Sequence, residues 1–202
     1  MDWTRQINGY CERLTPDFWA EPVNALTNAA FLLAGLACLA FAIGMRRRDW
    51  TVYYLSILIC VIGVGSFLFH TFATAWAALA DTGPIMLFIL SFFAIAMNRF
   101  LGLNWWQSLG LTLLFIAGMV GLSTLLYKTI GPYVGGSQAY FPALLALIGV
   151  GAYLRFLGHD GWKWLIAAGV VFALSLTFRT LDQQVCNAFP LGTHFMWHIL
   201  NA

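Results

Sequence analysis

Charge is scarce in this sequence. Asp, Glu, Lys and Arg supply 9% of its 202 residues, where a soluble globular domain carries about 25%. So little charge cannot cover a water-facing surface. With 61% hydrophobic residues, the composition excludes an ordinary soluble domain and implies an integral membrane protein. A net charge of +2 is too small to suggest nucleic acid as a partner. No secretory signal is visible either. The first 23 residues are polar and mixed in charge (Asp2, Arg5, Glu12, Arg13, Asp17, Glu21) with no apolar run, so the first membrane span is expected to serve as the insertion signal. No internal repeat, low-complexity segment or domain boundary stands out, and residues 1–202 read as a single domain.

What is present is a series of long apolar runs. A spanning helix needs roughly 20 mainly apolar residues. Such segments fall near residues 23–45, 51–74, 77–98, 104–127, 136–157 and 161–180, and a seventh begins near Pro190. Lipid cannot satisfy an open backbone, so each is expected to be helical. The expected fold is an all-α, seven-helix transmembrane bundle. Its last helix is short. The 13 residues from Pro190 to Ala202 reach about 20 Å at 1.5 Å per residue, so either the native chain runs on or this helix is not a full crossing. Trp50, Trp76, Trp105, Trp106, Trp162 and Trp164 fall near the proposed ends, as interfacial aromatics do. The first, third and fifth loops hold Arg46, Arg47, Arg48, Arg99, Arg155 and Lys163, against Arg5, Arg13, Lys128 and Arg179 on the other side. The positive-inside rule then places the N-terminus outside and the C-terminus in the cytoplasm; in a bacterium the membrane would be the inner one.

Few residues in the spans can ionise: His70 in the second, Asp81 in the third, and His194 and His198 in the seventh. The topology puts all four in the outer half of the membrane. Ionisable groups there are functional candidates by default, because burying them is costly unless they are paired or ligated. His194 and His198, in "HFMWH", stand four apart and so project from one helix face. Ser66 and His70, in "SFLFH", have the same spacing. Three imidazoles from two helices can form three corners of a tetrahedron, the arrangement of a catalytic zinc site with an open fourth position. Zinc would bring the pKa of a bound water to about 7. Asp81 would take or orient that proton, and Ser66 would donate to a developing oxyanion. Blander readings stand beside these. No Glu lies between the paired histidines, so "HFMWH" is not the HExxH of soluble zinc proteases. Histidines also serve as hydrogen-bond glue between helices, and Asp81 could relay protons. Pro84 is expected to kink the third span. Glycines such as Gly63, Gly65, Gly118, Gly149 and Gly151 would let helices pack closely or leave room for an acyl chain. The fourth histidine, His159, lies in the loop "GHDGWK" and is given no role.

Of four cysteines, Cys38 and Cys60 sit inside apolar runs as small core residues. Cys11 and Cys186 both fall on the outer side, where disulfides persist. They are either bridged or two free thiols. The segment "CERLTPDFWAEPVNALTN" gathers oxygen donors at the mouth of the first helix. Glu12, Asp17, Glu21 and Asn24 with backbone carbonyls could bind a hard cation such as calcium; the alternative is helix capping and a solvated face.

These pieces occur together in one known family. "YCE" at 10–12, "AEPVNALTN" at 20–28, "SFLFH" at 66–70, Asp81 eleven residues later and "HFMWH" at 194–198 resemble, in order, the alkaline ceramidases, seven-helix intramembrane hydrolases, and look most like their short bacterial relatives. The wider superfamily includes the adiponectin-receptor-like proteins, which share the Ser, His, Asp and paired-His pattern. The resemblance implies zinc on His70, His194 and His198, catalytic roles for Ser66 and Asp81, and a Cys11–Cys186 bridge. It also implies calcium near the N-terminus at the positions of Glu12 and Glu21, with Asn8, Tyr10 and Asn24 as neighbouring oxygen donors. One position departs: animal members carry an acidic residue where this chain has Gly9. The function implied is zinc-dependent hydrolysis of the amide of ceramide or a close N-acyl sphingoid lipid to a sphingoid base and a fatty acid. The rivals are a receptor-like protein with the same metal site and a proton-coupled transporter. Removing zinc should stop a hydrolase and leave a proton relay indifferent.

Overall fold

The computed structural model describes residues 2–45 and 49–202. Arg46, Arg47 and Arg48, the compact part of the expected positive-inside signal, lie outside the described residues. The architecture is all-α. Among the described residues the one β pairing is an isolated bridge between Gln6 and Thr74. The helices are α1 (Pro22–Thr27), α2 (Ala29–Gly44), α3 (Trp50–Phe72), α4 (Ala75–Leu101), α5 (Trp105–Thr129), α6 (Gly131–Val134), a 3-10 turn (Ser137–Tyr140), α7 (Phe141–Phe156), α8 (Trp162–Val185) and α9 (His194–Asn201).

Among the described residues, six segments are long and apolar enough to cross a membrane: Pro22–Gly44, Trp50–Phe72, Ala75–Leu101, Trp105–Thr129, Ser137–Phe156 and Trp162–Val185. Large apolar side chains on them, such as Leu33, Phe41, Leu113, Leu114, Leu125 and Val170, face outward, as lipid contact requires. Trp50, Trp105, Trp106 and Trp164 are exposed near helix starts. The expected seventh span is a shorter element. It starts at His194 rather than Pro190, and its 8 residues extend about 12 Å. The first span is divided at Asn28. Helix α4 continues through Pro84 as one element.

The chain forms two compact units. In Ile89–Leu181, α5 opens with a capping box: the Asn104 side chain accepts from the Gln107 N–H, and Gln107 answers on the Asn104 N–H. Phe93 and Phe115 stack at 4.4 Å. Arg179 donates to the Gly135 carbonyl and the Ser137 hydroxyl, closing the irregular turn between α5 and α7.

The other unit, Met1–Phe88 with Asp182–Ala202, carries the candidate site. Its α2 packs along α3, and α9 packs on α1 and α2. The contact with α4 depends on Gly65. A Cβ there would run into the Ala80 carbonyl of α4, so only glycine lets the two backbones meet. The polar N-terminal segment is tied to the α3–α4 link: the Ile7 N–H donates to the Ala73 carbonyl (2.7 Å), and the Ala75 N–H to the Arg5 carbonyl (3.0 Å). Ala73 takes a left-handed conformation (φ 48°) that ends α3.

Candidate metal centre

Helix α3 presents His70 one turn after Ser66, and α9 presents His194 and His198 on one face. The fold brings the three histidines together. Their ring centroids are 5.1 Å (His70–His194), 4.8 Å (His70–His198) and 4.8 Å (His194–His198) apart. All three are buried. Among the described residues they form the one group of three or more metal-ligating side chains whose ligand atoms lie in mutual reach, within 4.8 Å of one another.

Each ring is held from outside the cluster. His70 Nδ1 lies 2.6 Å from Glu21 Oε2. His198 Nδ1 lies 2.9 Å from Thr27 Oγ1. The Thr27 hydroxyl proton points to the carbonyls of Val23 and Asn24, so the His198 Nδ1–H is the donor and Thr27 the acceptor. This assignment follows from the network, as hydrogen positions do. The Nε2 atoms of His70 and His198 are buried with no hydrogen-bond partner. A buried polar atom left unpaired is costly. Imidazoles whose outer nitrogens are oriented by a carboxylate and a hydroxyl, with inner nitrogens free and convergent, are the donor set that zinc takes. The histidines therefore fit a metal. The ring of His194 lies under Tyr10, stacked at 3.7 Å.

The short helix α9 needs its own anchor, and the sequence reading missed it. Thr193, in the N-cap position, makes no side-chain cap. Asp182 of α8 does the work instead. Its Oδ1 accepts from the N–H groups of Thr193 (2.7 Å) and His194 (2.9 Å), and its Oδ2 from the N–H of Cys11 (3.0 Å). Cys11 and Cys186 are joined by a disulfide, with Cα atoms 5.2 Å apart, as the sequence led one to expect. Cys186 is four residues after Asp182, so the bridge and the carboxylate act from the same stretch. Gly192 (φ 66°) packs against both Asp182 and Cys11. A hint lay in the sequence: an acidic residue one turn before the second outer cysteine.

Ser66 and Asp81 are both buried, at 3% and 9% exposure. The Gly65 contact with Ala80 and Asp81 brings α4 against α3 beside Ser66.

The residues expected around calcium have other duties. Glu12 caps α1: its two carboxylate oxygens accept from the N–H groups of Val23 (2.7 Å) and Asn24 (2.8 Å). Burial raises its pKa above the ordinary value, and the two backbone hydrogen bonds offset this only in part. Glu21 is shared between the Arg13 guanidinium on Oε1 and His70 with the Asn24 amide on Oε2. Burial alone would raise its pKa as well, but the hydrogen bonds and charges of His70 and Arg13 outweigh that and hold it below the ordinary value. Tyr10 gives its ring to His194 and its carbonyl to the Arg13 N–H, while Asn8 is exposed. A buried arginine on one acidic ligand and a capping role for the other do not fit calcium at these positions.

Comparison with known proteins identifies the family. A family model described as Ceramidase matches residues 6–202. Human alkaline ceramidase 1 is 28% identical over 212 aligned residues, covering 99% of this chain and 76% of that protein. The match runs from the N-terminal segment through α9 and includes every residue of the histidine cluster. The chain belongs to the ceramidase family.

Proposed function

We propose that this protein is a membrane hydrolase that cleaves the amide of ceramide or a closely related N-acyl sphingoid lipid, with zinc held by His70, His194 and His198. The observation that carries the metal assignment is the paired state of the rings. The outer nitrogens of His70 and His198 are engaged, and their inner nitrogens are buried without a partner. The amide substrate class comes from the family.

Bound zinc would polarise the amide carbonyl and make a water acidic enough to attack at neutral pH. The chain's own residues supply the rest. Glu21 and Thr27 fix the tautomers and tilts of His70 and His198, so that both Nε2 lone pairs stay available. Ser66 donates a hydrogen bond to the carbonyl oxygen as negative charge develops there. Asp81 accepts the proton of the attacking water and returns it to the nitrogen of the leaving sphingoid amine. Water adds across the C–N bond, and the products are a fatty acid and a free base.

Six helices among the described residues are long and apolar enough to cross a membrane, which supports a substrate that reaches the site from the bilayer. The Cys11–Cys186 bridge suits an oxidising compartment. It supports an N-terminal segment on the outer side and a C-terminus toward the cytoplasm.

The test is hydrolysis of a ceramide panel by purified protein in detergent, with released base read by mass spectrometry and zinc by elemental analysis. Wild type should turn over, lose activity to a chelator and regain it with zinc. The His198→Ala variant should bind less zinc and be inactive. Full turnover by His198→Ala would sink the assignment.

A further inference from the structure

Arg13 belongs to a polar segment, yet it is 3% exposed. A guanidinium has five N–H donors in a rigid fork. Here all five find oxygen. Nε donates to Glu21 Oε1. Nη1 donates to the carbonyls of Thr15 (3.3 Å) and Asp17 (3.2 Å). Nη2 donates to the carbonyls of His70 (3.1 Å) and Thr71 (3.3 Å).

The acceptors are one carboxylate and four backbone carbonyls, an all-oxygen set of the kind a hard dication recruits. Two of them close the last turn of α3, where helix carbonyls lack intrahelical partners and the dipole is negative. A cation is needed there, and the chain brings its own. The same guanidinium fixes Glu21, whose other oxygen holds His70 Nδ1 at 2.6 Å. Glu12, the second acidic residue nearby, has both oxygens committed to the start of α1.

We propose that Arg13 is the resident cation of this oxygen cage. It takes the place that calcium would fill, and through Glu21 it positions the ring of His70. An external dication would have to displace a guanidinium with five partners, so the protein works without calcium. The His70 arm of this inference rests on the zinc reading above; the calcium arm does not.

The test uses the full chain in detergent. Wild type, washed free of alkaline-earth ions, is titrated with calcium and followed by calorimetry, thermal unfolding and turnover. No saturable binding and no change in melting temperature or turnover is expected. Saturable calcium binding by wild type would overturn the proposal. In the second arm, cobalt replaces zinc, and its visible spectrum reports the three-histidine site directly. Arg13→Ala should lower cobalt affinity about 10–100-fold, the usual effect of removing a group that orients a metal ligand. Affinity should recover with millimolar guanidinium or calcium, because either refills the vacated cage. Unchanged cobalt affinity in Arg13→Ala, or a loss that neither cation reverses in a folded variant, would overturn the positioning role. Arg13→Lys guards against misfolding: it keeps the charge but has three donors for five acceptors, and it should fall between wild type and Arg13→Ala. Failure of wild type to bind zinc or cobalt would count against the proposed hydrolase site, whereas a calcium response in zinc-loaded wild type would count against Arg13 alone.

Discussion

Asp182 holds His194 by its backbone: the carboxylate Oδ1 accepts the His194 N–H at 2.9 Å. The contact makes a helix of 8 residues, too short to persist alone in water, into a defined mount for two imidazoles. A missing N-cap costs about 1 kcal/mol, and hydrogen bonds to a charged acceptor contribute about 1.5–3 kcal/mol each. Asp182→Ala removes three such bonds at a buried position. It should destabilise the protein by at least about 2 kcal/mol and weaken zinc, although its hydrogen bond to His194 is to the backbone N–H. Thermal unfolding and a zinc competition assay on the same sample would check this. Normal zinc affinity with a lowered melting temperature would confine Asp182 to stability.

The histidine cluster was legible from sequence because its logic is local. Two histidines four apart share a helix face, and an ionisable group in a span needs a partner. Asp182 was not legible, because capping signals are sought directly before a helix, while this cap comes from 12 residues upstream of His194. Arg13 was hidden for a related reason. A basic residue among polar neighbours reads as solvated, and only the fold shows five oxygens converging on it. Composition located the apolar helices well, and their ends less so. Helix α8 runs on to Val185 through Asp182, Gln183 and Gln184; Asp182 accepts from the N-terminal segment and from α9, and Gln183 donates to the N-terminal segment. The last helix starts late because Asp182 fixes where it begins.

The Cys11–Cys186 bridge spans 175 residues of sequence and ties the N-terminal segment to the approach to α9. Reduction should cost about 2–4 kcal/mol. Because the same stretch carries Asp182, it should also loosen His194. Protein treated with a reductant is expected to melt earlier and to lose zinc to a chelator faster than oxidised protein. Identical zinc-loss rates would show that the bridge guards the fold without guarding the site.

A substitution at Gly65 tests the proposed catalytic pair apart from the proposed metal site. A methyl group there meets the Ala80 carbonyl, which is backbone and cannot rotate away. Gly65→Ala must push α4 off α3 and so move Asp81 relative to Ser66, while leaving all three histidines in the chain. The expected result is a fall in kcat of at least about tenfold, equivalent to about 1.4 kcal/mol in the barrier, with zinc content close to wild type. A variant with full kcat would remove the reason for placing Ser66 and Asp81 in the reaction.

Glu12 makes a prediction about pH. Its pKa in the folded protein lies above its ordinary value of 4.5, chiefly because burial disfavours the charge. Between those two values the folded state holds the proton more often than the unfolded state does, so unfolding releases protons and stability falls as pH rises. The contribution is fully present below 4.5 and lost above the folded value. Glu12→Gln cannot titrate, and it keeps one acceptor for the start of α1. The difference in melting temperature between wild type and Glu12→Gln should therefore shift against wild type as pH climbs from about 4 toward neutrality, then level off. Melting curves of both proteins across that range would measure it. A difference that is flat, or that moves in favour of wild type, would mean that the Val23 and Asn24 N–H groups at the head of α1 stabilise the carboxylate more than burial penalises it.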